Sequence, residues 1–250
     1  MPARWHETYN DLPAEIFGLA GADDDTDDGG RLLPEPKENT MSIKRWPLIS
    51  IVLLLLFIRP VFGSDALSPL ETIKGPIDTI VTILNDPAFK SPKQREAQRS
   101  KIWEVASSLF DFTEISRRTI GKSWNRFSSE EQSRFTDVFS QFLGNTYIDK
   151  IQGEYHNEKI EFVDELVRGR LALARTKLLR ESLEIPIDYR MKQINGSWRI
   201  YDILVENGVS LVKNYRVQFQ SILNRETPAQ LIQRLEKKLE EQRAALPSAK

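Results

Sequence analysis

The sequence predicts an α+β domain in which a curved, four-stranded antiparallel sheet is covered on one face by helices, with a helical half preceding it. Three observations carry this prediction. Apolar residues recur at three- and four-residue steps from Leu70 to Ile151, the period changes to alternation over four runs after Gly153, and helical spacing returns at Ser210. A half-cone of sheet and helix of this kind encloses a pocket.

Leu70, Ile73, Ile77, Ile80, Val81 and Leu84 form one face of a first helix, which Asn85-Asp86-Pro87 ends. A second opens at Ser91-Pro92 and presents Ile102, Val105, Ala106 and Leu109. Asp111, with Glu114 three positions on, makes a capping-box start for a short third helix that buries Phe112, Ile115 and Thr119 and stops at Gly121. Ser128 and Glu131 repeat that pattern ahead of the most aromatic helix, whose stripe runs through Phe135, Val138, Phe139, Phe142, Leu143, Tyr147 and Ile151.

The first alternating run covers residues 159–165 and the second Leu171 to Leu179. Ile185, Ile187, Tyr189 and Met191 lead the third; in the fourth, Trp198, Ile200, Asp202 and Leu204 are expected to share a face. Asn195-Gly196 between them is a type I′ hairpin signal. Asp188, Arg190 and Lys192 alternate with the apolar row, so one face of the sheet should be wet. Ser210 then caps a helix bearing Leu211, Val212, Tyr215, Phe219, Ile222 and Leu223, and Thr227-Pro228 starts the last one, through Leu231, Ile232, Leu235 and Leu239.

At 250 residues with 40% hydrophobic side chains, the chain can bury a real core. Residues 1–40 are the exception: ten acidic and three basic side chains, with Asp23, Asp24, Asp25, Asp27 and Asp28 beside Gly29 and Gly30, read as a disordered leader ahead of a misassigned start. Met41 opens a different pattern, in which Lys44 and Arg45 precede an apolar run from Trp46 to Ile58 and Val61-Phe62-Gly63 offers a cleavage site. Arg59 and Pro60 cut the run short of the about 20 residues a span needs, so 41–63 is expected to be a cleaved signal peptide and 64–250 a single exported domain. Without its first 63 residues the formal charge of −1 becomes about +3, spread out and without the basic-aromatic interleaving of a nucleic-acid surface. The chain has no cysteine, so the core alone must hold the domain and no lipidated cysteine follows the signal.

Chemistry is sparse. His156 is the one histidine after the signal, no G-x-S-x-G elbow accompanies it, and neither a P-loop nor a glycine-rich dinucleotide turn occurs. No metal, cofactor or catalytic residue is expected. Asp188 should face water, and Asp202 points inward near a rim, where capping the turn or the Ser210 helix is its simplest task.

Asp188-Tyr189-Arg190, Gly196-Ser197-Trp198, Tyr201-Asp202, Gly208-Val209-Ser210 and Asn214-Tyr215-Arg216 with Phe219 follow one another in an order and spacing that resembles the MlaC, or toluene-tolerance, family. Asp111-Phe112, Gly121-Lys122-Ser123-Trp124, Phe135, Phe139 and Tyr147 are similar to that family's helical half, and the resemblance runs from about Leu70 to Leu239. Val205-Glu206-Asn207-Gly208 departs from it by one extra residue. The resemblance implies an NTF2-like cone and a periplasmic phospholipid carrier of the pathway that maintains outer-membrane lipid asymmetry. Its partners would be an outer-membrane lipoprotein–porin complex and an inner-membrane MlaFEDB-like ABC transporter complex.

On that reading the acyl chains would lie among Phe112, Trp124, Phe135, Phe139, Leu143, Tyr147, Ile187, Tyr189, Met191, Trp198, Ile200, Leu211, Tyr215 and Phe219, with Arg216, ahead of the wet-facing Arg190, at a phosphate. Two other readings stay open: an isomerase-type enzyme of the same cone, using Asp202 as base beside a pocket tyrosine, and a periplasmic adaptor whose aromatics are simply core.

Overall fold

The computed structural model describes residues 67–180, 183–206 and 208–245; the leader and the signal segment lie outside them. The helical half comprises α1 (Pro69–Asn85), α2 (Arg95–Ser107), α3 (Phe112–Ile120) and α4 (Ser129–Glu154). The sheet follows as β1 (Lys159–Arg168), β2 (Leu171–Arg180), β3 (Leu183–Ile194), β4 (Ser197–Val205) and β5 (Val209–Ser210), and then α5 (Leu211–Leu223) and α6 (Pro228–Ala245) complete the chain. No helix among the described residues is long and apolar enough to cross a membrane.

Helix starts obey local chemistry. Ser68 and Glu71 close a capping box on α1, and Ser128 and Glu131 close one on α4, where the Ser128 N–H donates to the Glu131 carboxylate at 2.8 Å. At α3 the Asp111 carboxylate accepts the Glu114 N–H at 2.9 Å, but the Glu114 side chain does not return to the cap; it turns to Arg117 and Arg118. Gly121, at φ 59, ends α3 in the left-handed region that a residue with a Cβ enters at a cost.

The strands form one antiparallel meander in the order β1-β2-β3-β4-β5. The sheet therefore has five strands, not four. Glu206 (φ 50) and Gly208 (φ 82) reverse the chain after β4, so that Val209 and Ser210 pair back onto Val205 and Leu204 before the helix begins. From the sequence alone this stretch is a turn and a cap; the pairing adds a short fifth strand. Together with Leu109–Asp111, whose backbone exchanges hydrogen bonds of 2.8 and 2.9 Å with Ile200, the short strand covers the free edge of β4.

A bulge corrects a second expectation. Met191 stands opposite Ile200 but Arg190 stands opposite Asp202, so Tyr201 is the extra residue and the alternation of β4 changes phase there. Beyond it Ile203 faces Tyr189 and Val205 faces Ile187; Asp202 and Leu204 leave the Trp198–Ile200 face and join Arg190 and Asp188. No glycine or proline marks the site, which is why simple alternation placed it wrongly.

The inner face of the sheet carries α1, and α2 packs on α1, while α4 lies against α2 and α6, and α3 against α5. The approach of α2 to α4 depends on Gly144: a Cβ there would fall 2.4 Å from the Trp103 ring.

Candidate functional site

The strand register builds the inner face. Ala172, Ala174 and Thr176 of β2 stand opposite Met191, Tyr189 and Ile187 of β3. Small residues on β2 let α1 come close, and Ile73 and Ile77 pack there with Leu109, Met191, Trp198 and Ile200 into one buried cluster. Packed against that floor are the half-buried apolar side chains Leu70, Phe110, Ile160, Phe162, Tyr189 and Ile203, contributed by several strands of the sheet and by the helical half. Burial pushes the Tyr189 phenol up to about 12, partly offset by the Thr176 hydroxyl, so it stays protonated at any ordinary pH.

The proposed lining residues separate into two groups. Ile187, Tyr189, Met191, Trp198 and Ile200 belong to the inner face. Phe135, Phe139, Tyr215 and Phe219 instead pack against one another between α4 and α5, with ring centroids 5.1–5.7 Å apart and mostly edge-to-face. Trp124 extends that cluster toward Phe127, and Leu143 and Leu211 are buried. Tyr147 is half-buried on α4. Phe112 bridges the halves, its ring 5.6 Å from Trp103 and 5.5 Å from Phe110. Sequence reasoning missed Phe110, Ile160, Phe162 and Ile203 as wall residues. The small pair Ala172 and Ala174, alternating on one strand, was the available signal that a helix and not solvent covers this face.

Neither arginine stands alone. Arg216 donates from Nε to the Arg118 carbonyl at 2.8 Å, which ties α5 to the end of α3. Arg190 is exposed and donates to Asp202 at 3.2 Å. Asp202 is 3% exposed, and both its oxygens are engaged: one accepts the Val212 N–H at 3.0 Å, the other the Ser210 hydroxyl at 2.7 Å. It caps α5, as its position beside the Ser210 turn suggested, and faces away from the inner cluster. Asp202→Ala should lower folding stability by about 2 kcal/mol by orphaning these donors, read from urea melts; a loss under about 0.5 kcal/mol would show the cap to be dispensable.

A second polar centre sits outside the inner face. Glu114 is buried, and hydrogen bonds from the Arg117 and Arg118 guanidiniums hold its carboxyl down at about 2, against the opposing effect of burial. Arg118 also lies 4.1 Å from the Tyr201 ring centroid. Because the folded pKa is depressed below the ordinary 4.5, the stability this cluster adds is complete above that pH and is lost as pH falls toward 2. Glu114→Gln should therefore flatten the acid limb of a stability–pH profile between those limits; an unchanged limb would refute the assignment.

His156 is exposed, with Nδ1 2.7 Å from the Glu154 carbonyl, while its N–H donates to Glu158, which also holds Arg180. These contacts fasten the joint between α4 and β1. A separate cleft of about 240 Å³ is lined by Trp103, Ile148, Arg99 and Arg243 among others. There, Asp149 and Glu96 neutralise Arg99.

Comparison with known proteins places this geometry. A family model described as MlaC protein matches residues 74–237. Among solved structures, a phospholipid-binding protein from Ralstonia solanacearum in complex with a phospholipid is 22% identical, with a TM-score of 0.59 over 68% of this chain and 96% of that one. Comparison with curated proteins gives no match.

Proposed function

Because the chain belongs to the MlaC family, the match spanning well over half of its length, we propose that it is a phospholipid carrier of the periplasm, exported by a cleaved signal peptide. The observation that carries the reading is the set of half-buried apolar side chains packed against the buried inner-face floor. An adaptor that binds only proteins has no use for half-buried apolar side chains gathered on a sealed floor, whereas acyl chains can lie along them. An isomerase would need a carboxylate free to act on that face; the bulge turns Asp202 to the other one, and Glu165, which does face inward, is taken up by the Leu70 N–H at 2.7 Å. The phospholipid held by the Ralstonia protein is the ligand class we extend to this chain.

Energetics explain why such a carrier works between partners. Two acyl chains hold about 30 methylene-like groups, worth roughly 25 kcal/mol on leaving water at ~0.8 kcal/mol each. Bilayer and protein interior are both apolar, so the net difference is small and the aqueous step is the barrier. The carrier therefore exchanges lipid in docking complexes, with an outer-membrane lipoprotein–porin complex on one side and an inner-membrane ABC transporter on the other supplying direction.

The test is expression from Met41 with the native signal, detergent-free purification from the periplasm, and lipid mass spectrometry with native mass measurement. Stoichiometric phospholipid on a product beginning near Ser64 is expected. A lipid-free product that also fails to take lipid from vesicles would overturn the reading.

A further inference from the structure

The β1–β2 turn stands out by what its side chains do not touch. Leu166, Val167 and Leu171 are 44%, 47% and 46% exposed, and they flank Arg168-Gly169-Arg170 in one continuous tip. Isolated exposed leucines are ordinary, but three aliphatic side chains on both faces of a single turn form a finger. The finger is anchored, since Gln193 donates its N–H to the Arg170 carbonyl at 2.9 Å and Arg170 donates to the Gln193 carbonyl at 3.2 Å.

Charge is segregated along the sheet in the same direction. Across this end the register sets Arg168 beside Leu171, Leu171 beside Lys192 and Lys192 beside Arg199, all on the outer face. Among the described residues no carboxylate pairs with Arg168, Arg170 or Arg199, and Lys192 reaches only the margin of Glu114, at 4.0 Å. Glu165, the acid nearest the tip, is turned to the inner face, where it accepts the Leu70 N–H at 2.7 Å. Away from the tip, by contrast, Arg175 in the middle of β2 pairs with Asp164, and Lys177 pairs with Glu184.

We propose that this end of the sheet is a membrane-contact surface that lies on an anionic phospholipid bilayer, with Leu166, Val167 and Leu171 entering the headgroup layer and Arg168 and Arg170 meeting lipid phosphates. Aliphatic side chains bordered by arginine are the combination that partitions to such an interface. The surface stands on its own geometry and takes only its purpose, bringing a lipid carrier to a lipid source, from the reading above. Marginal affinity suits that purpose, because the contact must also release.

The experiment is co-flotation of the full chain with vesicles of phosphatidylcholine alone or mixed with phosphatidylglycerol. Parent and variants share residues 1–66, so what those residues contribute is common to every comparison. Each arginine at an anionic surface multiplies partitioning by roughly fivefold, so Arg168→Ser/Arg170→Ser should weaken binding to the mixed vesicles by about twenty-fivefold and change binding to neutral ones little. Leu166→Ser/Leu171→Ser should weaken both. Lys90→Ser/Lys93→Ser, which removes equal charge from the loop between α1 and α2, should behave as the parent, with thermal melts checking that each variant is folded.

Hairpin variants that float like the parent would overturn the proposal and make the tip a protein contact; an equal loss in the lysine control would reduce it to net charge. Lipid extracted from the same preparations separates the two claims. A parent that carries no phospholipid yet loses flotation with the hairpin variants sinks the carrier reading alone, and a lipid-loaded parent whose hairpin variants float unchanged sinks this one alone.

Discussion

Phe139→Ala is expected to lower the free energy of unfolding by about 4 kcal/mol, near the top of the range for a buried aromatic. Phe139 is 1% exposed, and its ring centroid lies 5.3 Å from Phe135 and 5.1 Å from both Tyr215 and Phe219. Three rings from two helices lean on it, so truncation loses its transfer from water and also leaves a void that α4 and α5 cannot both close. Urea unfolding with an unchanged m-value is the measurement. A loss below about 2 kcal/mol would mean that the cluster relaxes into the space. That result would return these aromatics to the role of a yielding ligand wall, and lipid content would then fall in the same variant. A full loss with lipid content unchanged would instead assign them to packing.

The outcome bears on what a single sequence reveals. Helix faces and caps were legible because each is a local pattern: Ser128 with Glu131 forms the box its spacing predicts, and Ser210 caps α5. Asn195-Gly196 likewise turns β3 into β4 with φ values of 50 and 83. What was not legible depends on chain pairing. The bulge at Tyr201 and the return of Val209 onto Val205 are properties of two strands at once, and neither leaves a mark in one of them. The division of the aromatics into a helical core and an inner face has the same origin. Phe139 and Tyr189 both stand in apolar stripes of the sequence, and it is the packing of α4 against Tyr215 and Phe219 of α5 that places Phe139 in the helical core. Arg216, whose place beside Tyr215 suggested a phosphate ligand, also has a structural contact the sequence did not show: its Nε donates to the Arg118 carbonyl at the end of α3 at 2.8 Å.

Ile203→Asp and Phe162→Ser, made separately, are expected to reduce phospholipid co-purifying with the protein by at least tenfold while moving the melting temperature by only a few degrees. Both side chains are half-buried and packed against the inner-face floor, but they stand on different strands, β4 and β1. A half-buried position tolerates a polar group in the empty protein because water reaches it. Once an acyl chain covers it, that water is expelled, and an aspartate then bears the full cost of an unpaired charge in an apolar contact. Ligand affinity is thus struck much harder than stability, the opposite of the pattern at Phe139. Tyr189→Phe is the matched control: its phenol is protonated at any ordinary pH and neighbours Thr176, so losing the hydroxyl should leave lipid content and its pH dependence unaltered. If Ile203→Asp and Phe162→Ser both keep stoichiometric phospholipid, these side chains do not border the site, and the acyl chains must lie elsewhere in the helical half. If only one loses it, the lipid follows that edge of the sheet, and the strand concerned marks the path by which it enters.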